Sequence, residues 1–526
     1  MNPRAALAML FAALLPCAAA HAQGGPGLFP AMLGDFEEGV APPPPGEWVA
    51  RMPRGYVHRA LPQHSVRTLY VVPSNRTPQA DAVEKMRFNI LTAHAWYEDH
   101  MERHGFGPMS FNYETEADGA TPKIHTLAAP NTDDWYRADP WSRVAQAAQA
   151  GGFPVWSPGQ VWTILYEAHA MNPDGTFVGG FNGGASYGSG SDGGVGMTVA
   201  LTMAYLEPPM LVDDRPFDGL VISAAGPYPH KYDPARWYDG QTVSELSSVC
   251  HGIVIHETAH GFGLWHDFRN DLNASGNMMG NGFRGVRGWA HPDRYPGNDT
   301  RLSRGSALAL SVSRYFRPDQ GYTDNTKPSV TLQTAGAVAP VDGHLPVRFT
   351  ASDAGGLACA LLRVDGQTVG DAVLSGTSAD HTFHTPWYDP GTNHDVAVTV
   401  FDAQGNVTTR NGSIVPSTPA NRAPRPHFHF NPSRVKAGET ITFNAGLSTD
   451  PDATPGARTV EWDLDGDGVY ETAPSTQMQR TWSYATPGIR QVRMRLTDGG
   501  GAVSESMPVG IRVTPADSGV EGWWGY

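Results

Sequence analysis

Cysteine is scarce in this chain, with three residues in 526. Cys17 lies in an apolar N-terminal segment, whereas Cys250 and Cys359 lie in parts of the chain that are assigned below to different domains. Two thiols in so long a chain do not make a disulfide framework, although a bridge between Cys250 and Cys359 stays open at this point. The fold must therefore be stabilised by hydrophobic cores, with or without help from metals.

Charged residues are also few, at 17% of the chain, and acidic residues outnumber basic ones 52 to 37. The formal net charge of -15 leaves no basic patch that could offset phosphate repulsion, so no nucleic-acid partner is expected. Low charge combined with 60 Gly and 44 Pro is typical of a loop-rich, strand-rich extracellular protein. The length corresponds to roughly three average domains.

Long apolar runs are missing as well. Beyond the N-terminus no stretch approaches the roughly 18 consecutive apolar residues of a membrane helix, so no membrane span is predicted. Residues 1–22 have the pattern of a secretory signal peptide, with Arg4 before an apolar stretch and Ala20-His21-Ala22 as the cleavage site. We therefore expect a secreted, extracellular monomer, for which transit through a periplasm is a compatible route.

Composition divides the remaining chain into an N-terminal segment and three domains. The Pro-rich residues 23–66 are interpreted as a linker or a pro-segment. Residues 67–320 begin with a strand–helix–strand pattern, which predicts an α+β domain with a mixed twisted sheet and a helix packed on it. The predicted strands are 68–72, 109–113, 161–165 and 219–223, and the predicted helices are 80–104, 242–261 and 306–316.

The C-terminal part has a different texture, with short alternating stretches separated by turn residues. This pattern predicts two all-β sandwich modules, at 327–416 and 421–515, followed by an aromatic tail at 516–526.

In the larger α+β domain, the Gly-rich tract 179–196 allows two interpretations. It is either a flexible loop or an exposed sheet edge at which glycine lets a substrate backbone approach closely.

One segment carries recognisable chemistry, HETAHGFGLWHD from His256 to Asp267. On a helix, residues four apart lie on one face, so His256 and His260 can direct two imidazoles at one metal ion. Glu257 lies beside that face, within reach of a water molecule at the metal. The structural alternative is a buried helix whose histidines are satisfied within the core.

The end of this helix supplies a third ligand. Gly263 lacks a Cβ and can adopt a left-handed conformation, which ends the helix and turns the chain so that His266 points back to the same ion. Three neutral imidazoles with a fourth position left for water are the ligand set of catalytic zinc.

These residues resemble the signature of the metzincin clan of zinc metallopeptidases, HExxHxxGxxH followed by a Met-turn. The resemblance implies a metzincin-like catalytic domain with one zinc ion per chain and Glu257 as the general base. It also implies that Met279 is the Met-turn residue beneath the site, because a polar residue, Asn277, precedes it by two positions. Asp267 is expected to orient a neighbouring backbone group or ligand rather than to bind metal. Where some members have Tyr this chain has Asn281, so no Tyr ligand is expected.

The sandwiches also carry resemblances. Residues 421–515 resemble a PKD domain, through Trp462-Asp463-Leu464-Asp465-Gly466-Asp467-Gly468, and residues 327–416 resemble bacterial Ig-like modules. In secreted hydrolases such modules are spacers or units that engage a substrate or a surface. Asp463, Asp465 and Asp467 alternate as at the start of a calcium loop, but its twelfth position is Pro474 instead of Glu. A Ca²⁺ site and a solvated hairpin turn therefore both stay open.

Three functions remain open from the sequence. The first is a secreted zinc endopeptidase that acts on a protein or peptide substrate, in the extracellular matrix or at a cell surface. The second is a zinc-containing adhesin or binding protein with a weak or inactive protease-like domain, and the third is a zinc hydrolase that acts on another class of substrate. The intact Glu257 and the open fourth position of the ligand set favour the enzyme, since structural zinc sites are usually closed.

Overall fold

A computed structural model describes residues 64–168, 170–171, 176–178, 182–186, 193–199, 205–212, 214–220, 231–232, 241–272, 274–317, 321–452 and 458–516. The predicted signal peptide, nearly all of the Pro-rich segment 23–66, and the aromatic tail beyond residue 516 lie outside these residues.

The described residues form an α+β domain followed by two β-sandwiches. The helices are α1 (Ala82–Arg103), α2 (Asp133–Ala138), α3 (Pro140–Ala150), α4 (Pro208–Val212), α5 (Arg215–Asp218), α6 (Val243–Gly261), α7 (Val286–Ala290) and α8 (Arg304–Ser311). The strands of the first domain are β1 (Ser65–Val72), β2 (Ile124–Ala128), β3 (Gln160–Tyr166), β4 (Ala170–Met171), β5 (Thr176–Val178), β6 (Gly183–Ser186), β7 (Gly193–Val199), β8 (Lys231–Tyr232), β9 (Gly276–Asn277) and β10 (Thr300–Arg301).

The main sheet of the first domain is mixed, as the sequence predicts. Its strand order is β2-β1-β3-β7-β6. The pairs β1–β2, β1–β3 and β3–β7 are parallel, and β6 closes one edge as the antiparallel partner of β7. Short strands form two further sheets, β4-β5-β8 and β9-β10.

Helices cover both faces of this sheet. Successive side chains of a strand point to opposite faces, so β1 contributes to two cores. Leu69 packs in a cluster with Val144 of α3, whereas Tyr70 packs with Met86 of α1 and Val249 of α6. Helix α6 thus lies on the same face as α1, with the sheet between it and α3.

Several predicted elements are confirmed with small shifts at their ends. Strand β1 begins at Ser65 rather than at residue 68, and helix α1 lies within the predicted 80–104. Helix α6 begins after Thr242, whose side chain accepts a hydrogen bond from the Glu245 amide while the Glu245 carboxylate accepts one from the Thr242 amide. This capping box satisfies amides that have no partner within the helix.

Two predicted elements are corrected. Residues 109–113 form no continuous strand, and Tyr113 makes one isolated bridge to Val66. The amide of Asn112 donates to the carbonyl of Tyr315 instead of to a neighbouring strand, and Phe111 packs into the core. The helix predicted at 306–316 is α8, which begins at Arg304 and ends at Ser311, and the predicted strand 219–223 lies mostly outside the described residues.

The first sandwich packs a three-stranded sheet, β11-β13-β16, on a five-stranded sheet, β12-β18-β17-β14-β15. Its strands are β11 (Ser329–Leu332), β12 (Gly336–Val338), β13 (Leu345–Ser352), β14 (Leu357–Val364), β15 (Gln367–Val373), β16 (Ser378–Thr385), β17 (His394–Asp402) and β18 (Val407–Pro416). Val396, Val398 and Val400 alternate into its core, as their spacing predicts.

The second sandwich has sheets β19-β21-β23 and β20-β26-β24-β22, and β25 also pairs with β24. Its strands are β19 (His429–Asn431), β20 (Val435–Lys436), β21 (Thr440–Asn444), β22 (Thr459–Asp463), β23 (Gln479–Ser483), β24 (Gly488–Thr497), β25 (Val503–Glu505) and β26 (Val509–Thr514). Trp462 is buried at the centre of its core.

Both sandwiches contact the first domain. Cys359 and Phe401 of the first sandwich belong to the same buried cluster as Phe262, and the Phe428 amide of the second donates to Asn270 Oδ1 at 3.1 Å. Cys250 and Cys359 are both buried and unpaired. The helices in the described part of the chain all fall short of the apolar length that a bilayer crossing requires.

Candidate metal centre

Helix α6 passes very close to the main sheet. A Cβ added to Gly196 of β7 would lie 2.5 Å from the carbonyl carbon of Glu257, so only glycine permits this approach. The described parts of the tract 179–196 are the paired strands β6 and β7, which makes the flexible-loop interpretation wrong for those residues. Strand β6 is the sheet edge that the second interpretation expects, and the close backbone approach at Gly196 is to helix α6.

Helix α6 ends where the sequence predicts. Gly263 has a φ of 87°, and its amide donates to the carbonyl of His260 at 3.0 Å. The amide of Leu264 then donates to the carbonyl of Ala259 at 3.2 Å. This left-handed turn reverses the chain and brings His266 back towards the last turn of the helix.

The three predicted histidines converge. His256, His260 and His266 each offer a ring nitrogen, and these nitrogens lie within 4.8 Å of one another. The ring centroids are 4.9 Å apart for His256 and His260, 5.3 Å for His256 and His266, and 4.9 Å for His260 and His266. Nitrogens at this spacing can bind one small cation between them.

Backbone carbonyls fix the orientation of two of the rings. His256 Nδ1 lies 2.6 Å from the carbonyl oxygen of Met278, and His260 Nδ1 lies 2.8 Å from that of Leu264. A carbonyl oxygen only accepts, so each Nδ1 must carry the proton and each Nε2 must present its lone pair. This is the tautomer that a metal ligand needs, held by a neighbouring group as is usual for metal-binding histidines.

The surroundings keep these imidazoles neutral. Burial lowers the pKa of His260 to about 4, with a further contribution from His266, and it holds the pKa of His256 well below its ordinary value. Burial also lowers the pKa of His266. Neutral rings can donate their lone pairs to zinc without first losing a proton.

Glu257 follows the first histidine on helix α6. Burial raises the pKa of its carboxyl to about 8, and no hydrogen bond of this carboxyl is found within the described residues. A buried carboxyl whose pKa lies near neutrality can exchange a proton with a bound molecule.

The predicted Met-turn is a tight turn packed against the site. Met278 and Met279 are both buried, and the amide of Gly280 donates to the carbonyl of Asn277 at 2.8 Å. The Met278 carbonyl orients His256, as described above. The assignment of Met279 as the residue beneath the metal stays a prediction.

Asp271 organises this turn and was not identified from the sequence. Its carboxylate accepts hydrogen bonds from the amide of Asn277 at 3.1 Å, from the amide of Asn281 at 2.7 Å and from the Asn281 side chain at 3.0 Å. Burial raises the pKa of Asp271 to about 7 despite these bonds. Its only sequence signal is a short polar side chain close to a turn, which is too common to be specific.

Asp267 follows the third histidine and is fully buried, and its side chain bonds to Arg269 two positions later. Its carboxylate accepts hydrogen bonds from the Arg269 amide at 3.1 Å and from the guanidinium of Arg269 at 2.7 and 3.0 Å. Its own amide donates to the carbonyl of Met279 at 2.9 Å. Asp267 therefore joins the segment after the helix to the Met-turn, and its role towards the metal stays a prediction.

The acidic loop of the second sandwich brings four carboxyl groups together. Asp463, Asp465, Asp467 and Glu471 each have a carboxylate oxygen within 4.8 Å of the others. However, the Asp463 carboxylate already accepts from the amides of Gly466 and Gly468 and pairs with Arg493 at 2.8 Å. These bonds also stabilise a plain hairpin turn, so calcium stays a prediction here.

Comparisons with known proteins identify the last module. Residues 421–513 match the family model of the PKD domain, which confirms the expectation of such a domain. No curated protein matches the sequence.

The similar solved structures are distant. One is catalytically inactive OgpA from Akkermansia muciniphila in complex with an O-glycopeptide substrate, at 14% identity and a TM-score of 0.45, with 69% of this chain and 95% of that chain covered. Carbohydrate-binding modules of the β-sandwich superfamily match at 39% identity and a TM-score of 0.17, with 19% of this chain and 37% of that chain covered. These TM-scores are low, so the likenesses by themselves establish neither the fold nor the activity.

Proposed function

We propose that this chain is a secreted zinc-dependent endopeptidase of the metzincin type. The observation that supports this proposal most directly is the convergence of His256, His260 and His266, whose ring nitrogens lie within 4.8 Å of one another. The donor set fits zinc, since neutral imidazole nitrogens are among its preferred ligands and three of them leave one position open. A structural zinc site would need a fourth protein ligand, and the described residues place no fourth His, Cys, Asp or Glu in this cluster.

In this proposal the chain's own residues do three things. The two ring nitrogens that donate to backbone carbonyls keep His256 and His260 in the ligand tautomer. The left-handed turn at Gly263 places His266 opposite them. The Glu257 carboxyl, in its ionised form, accepts a proton from the attacking water and later returns it to the leaving amine. Zinc, when bound, would supply the Lewis acidity that polarises the scissile carbonyl and acidifies water.

The export and the accessory modules belong to the same proposal. Residues 1–22 would direct secretion, and N-terminal sequencing of exported protein should begin at Gln23; retention of residue 1 would contradict this. The Ig-like and PKD modules would engage a protein or peptide substrate in the extracellular matrix or at a cell surface.

The test of the catalytic proposal is Glu257→Gln. This change keeps the size of the side chain but removes the proton acceptor, so we expect peptide cleavage to fall by roughly 10²–10⁴-fold. Zinc content, measured by elemental analysis of the same sample, should stay at one per chain because the three histidines are intact.

The matched control is Glu439→Gln, a change at an exposed residue of the second sandwich that should leave cleavage unaltered. Full activity in the Glu257→Gln variant would remove Glu257 from the reaction. A wild-type chain that binds zinc but cleaves no peptide would instead favour the binding protein.

A further inference from the structure

We infer that the Ig-like sandwich is part of the metal centre, because its β14–β15 hairpin positions the third ligand, His266. This inference rests on the proposed function, since it concerns a ligand of the proposed zinc. The hairpin contacts three residues in the short segment that follows helix α6: Trp265, His266 and Arg269.

His266 needs such support more than the other two ligands do. His256 and His260 lie on a regular helix, and their Nδ1 atoms donate to backbone carbonyls. His266 lies in an irregular segment, and within the described residues no hydrogen bond of its ring nitrogens is found. Apart from ring contacts such as that with Phe268, at 5.8 Å between centroids, the position of its ring depends on the path of its backbone.

The hairpin contacts that backbone directly. The amide of Thr368 in β15 donates to the carbonyl oxygen of His266 at 2.7 Å. One module thus supplies a hydrogen bond to the main chain of a metal ligand in another module. This hydrogen bond sets the distance between the His266 backbone and strand β15. It thereby also sets how far His266 lies from the two helical histidines.

A buried ion network holds the same segment three residues later, at Arg269. Arg269 donates from Nη1 to Asp371 Oδ2 at 2.9 Å, and from Nη2 to Asp267 at 2.7 Å. Asp371, on β15, also pairs with Arg304 at the start of α8. The side chain of Asp371 is only 4% exposed, so these charges are poorly screened by water. Although burial acts to raise its pKa, Arg269 and Arg304 hold the pKa of Asp371 below its ordinary value.

The third contact lies on the other side of His266. The guanidinium of Arg363, at the end of β14, lies 3.7 Å from the ring centroid of Trp265. Trp265 is 47% exposed, so this cation covers one face of a ring that otherwise faces solvent. The hairpin therefore contacts the segment at Trp265, at His266 itself and at Arg269.

The surrounding core makes the contact between the β14–β15 hairpin and the segment 265–269 rigid. Cys359 of β14 and Phe401 of β17 are buried in the same cluster as Phe262 and Met279. The hairpin cannot move away from the metal centre without opening this shared core. Asp371 and Thr368 are accordingly positioning residues for zinc binding, although neither is a ligand.

The test compares Asp371→Asn with Asp380→Asn in the full chain. The control is matched because Asp380 also forms an ion pair in this sandwich, with Arg348 at 2.6 Å, but that pair is exposed and belongs to a different sheet. Zinc affinity is measured by competition with a chromophoric chelator, and the ligand geometry by the visible absorption of the Co²⁺-substituted protein.

We expect Asp371→Asn to bind zinc about 10- to 100-fold more weakly than wild type, the range found when residues that support ligands are changed. Its Co²⁺ spectrum should differ from the wild-type spectrum, which a loss of stability alone would not cause. Asp380→Asn should match wild type in both measurements. Unchanged zinc affinity and an unchanged Co²⁺ spectrum in Asp371→Asn would overturn the inference, whatever its melting temperature.

A second variant covers the case in which Asp371→Asn does not fold. Arg363→Met keeps the aliphatic length over Trp265 and breaks none of the ion pairs found in the described part of the chain. It should weaken zinc binding by about threefold or more, through loss of the cation–π contact. If Asp371→Asn does not fold and Arg363→Met binds zinc as tightly as wild type, the inference that the hairpin positions His266 is overturned. A wild-type chain that binds no zinc would overturn the proposed function, whereas zinc in wild type with no effect of either variant would overturn this inference alone.

Discussion

At the scale of single residues, the candidate metal centre depends on donors that are already oriented. Two imidazoles are tied to backbone carbonyls at 2.6 and 2.8 Å, so little rotamer freedom is lost when a metal binds. The HExxHxxGxxH spacing predicts the three candidate ligands, because helical geometry relates His256 to His260 and a left-handed glycine brings back His266. The carbonyls of Met278 and Leu264 could not be identified this way, because a sequence does not show where a main-chain oxygen points.

Glu114 illustrates how a charge outside the site contributes to stability. Partial burial acts to raise its pKa, but a hydrogen bond from His125 at 2.8 Å and the charge of Arg67 lower it from 4.5 to about 2. The folded pKa is below the unfolded one, so the carboxylate stabilises the fold above about pH 4.5 and this contribution is lost as pH falls towards 2.

We therefore expect Glu114→Gln to lower the free energy of unfolding by about 1 kcal/mol at neutral pH, after allowance for solvent screening. The difference from wild type should narrow as the pH falls below about 4.5, because the Glu114 carboxylate of the unfolded chain then takes up a proton while that of the folded chain stays ionised until about pH 2. Denaturant unfolding at a series of pH values measures it. A difference that stays constant down to about pH 3 would show that the charge of Glu114 is not the cause.

At the scale of elements, the site depends on how closely helix α6 approaches the sheet. Gly196 permits this contact, because an added Cβ would lie 2.5 Å from both the carbonyl carbon of Glu257 and the amide nitrogen of Thr258. Thr163 of β3 and Thr258 also share a hydrogen bond of 2.8 Å across the same contact. The turn of α6 that carries Glu257 thus lies against the strands with no space for a larger residue.

Gly196→Ala should therefore force α6 away from β7. We expect a loss of about 1–3 kcal/mol in stability, the usual cost of overpacking, together with weaker zinc binding, because His256 and His260 move with the helix. The control is Gly297→Ala, at which an added Cβ meets no atom within 4 Å. Thermal unfolding and zinc titration of both variants measure the two effects. A Gly196→Ala protein with the melting temperature and zinc affinity of wild type would mean that the contact between α6 and β7 is not tight.

The sequence predicts elements well where a local pattern decides them, and poorly where a distant partner does. Helix α6 and its cap follow from Thr242, Glu245 and the apolar spacing between them and Gly263. The stretch 109–113 has strand-like residues, but its Phe111 is needed in the core and its Asn112 bonds to Tyr315, some 200 positions away in sequence. No local pattern contains that information.

At the scale of the whole molecule, the two sandwiches pack against the α+β domain. Arg512 of the PKD domain donates to Glu102 at 2.5 Å and to Asp99 at 3.2 Å on helix α1. Asp99 is fully buried and also pairs with Arg103 at 2.7 Å. Arg269 and Asp371, which join the first sandwich to the α+β domain, are 102 residues apart in sequence. Partners this distant cannot be predicted from composition or spacing, and the same holds for Arg512 and its two carboxylates.

Arg512→Met should destabilise the chain because it removes one of the cations around a buried carboxylate. We expect a loss of about 2 kcal/mol, less than the cost of leaving a buried charge with no partner, since Arg103 remains. Arg480→Met, at an exposed residue of β23, is the control and should have no effect. Thermal unfolding measures both, and equal melting temperatures for the two variants would mean that the PKD domain does not support α1.

The proposed centre holds one zinc ion with three imidazoles and leaves one position open. X-ray absorption at the zinc edge, on wild-type protein with its metal content determined, tests it most directly. We expect one zinc per chain with three nitrogen neighbours at about 2.0–2.1 Å and one further oxygen. A chain without zinc, or a zinc with four ligands all from the protein, would contradict it.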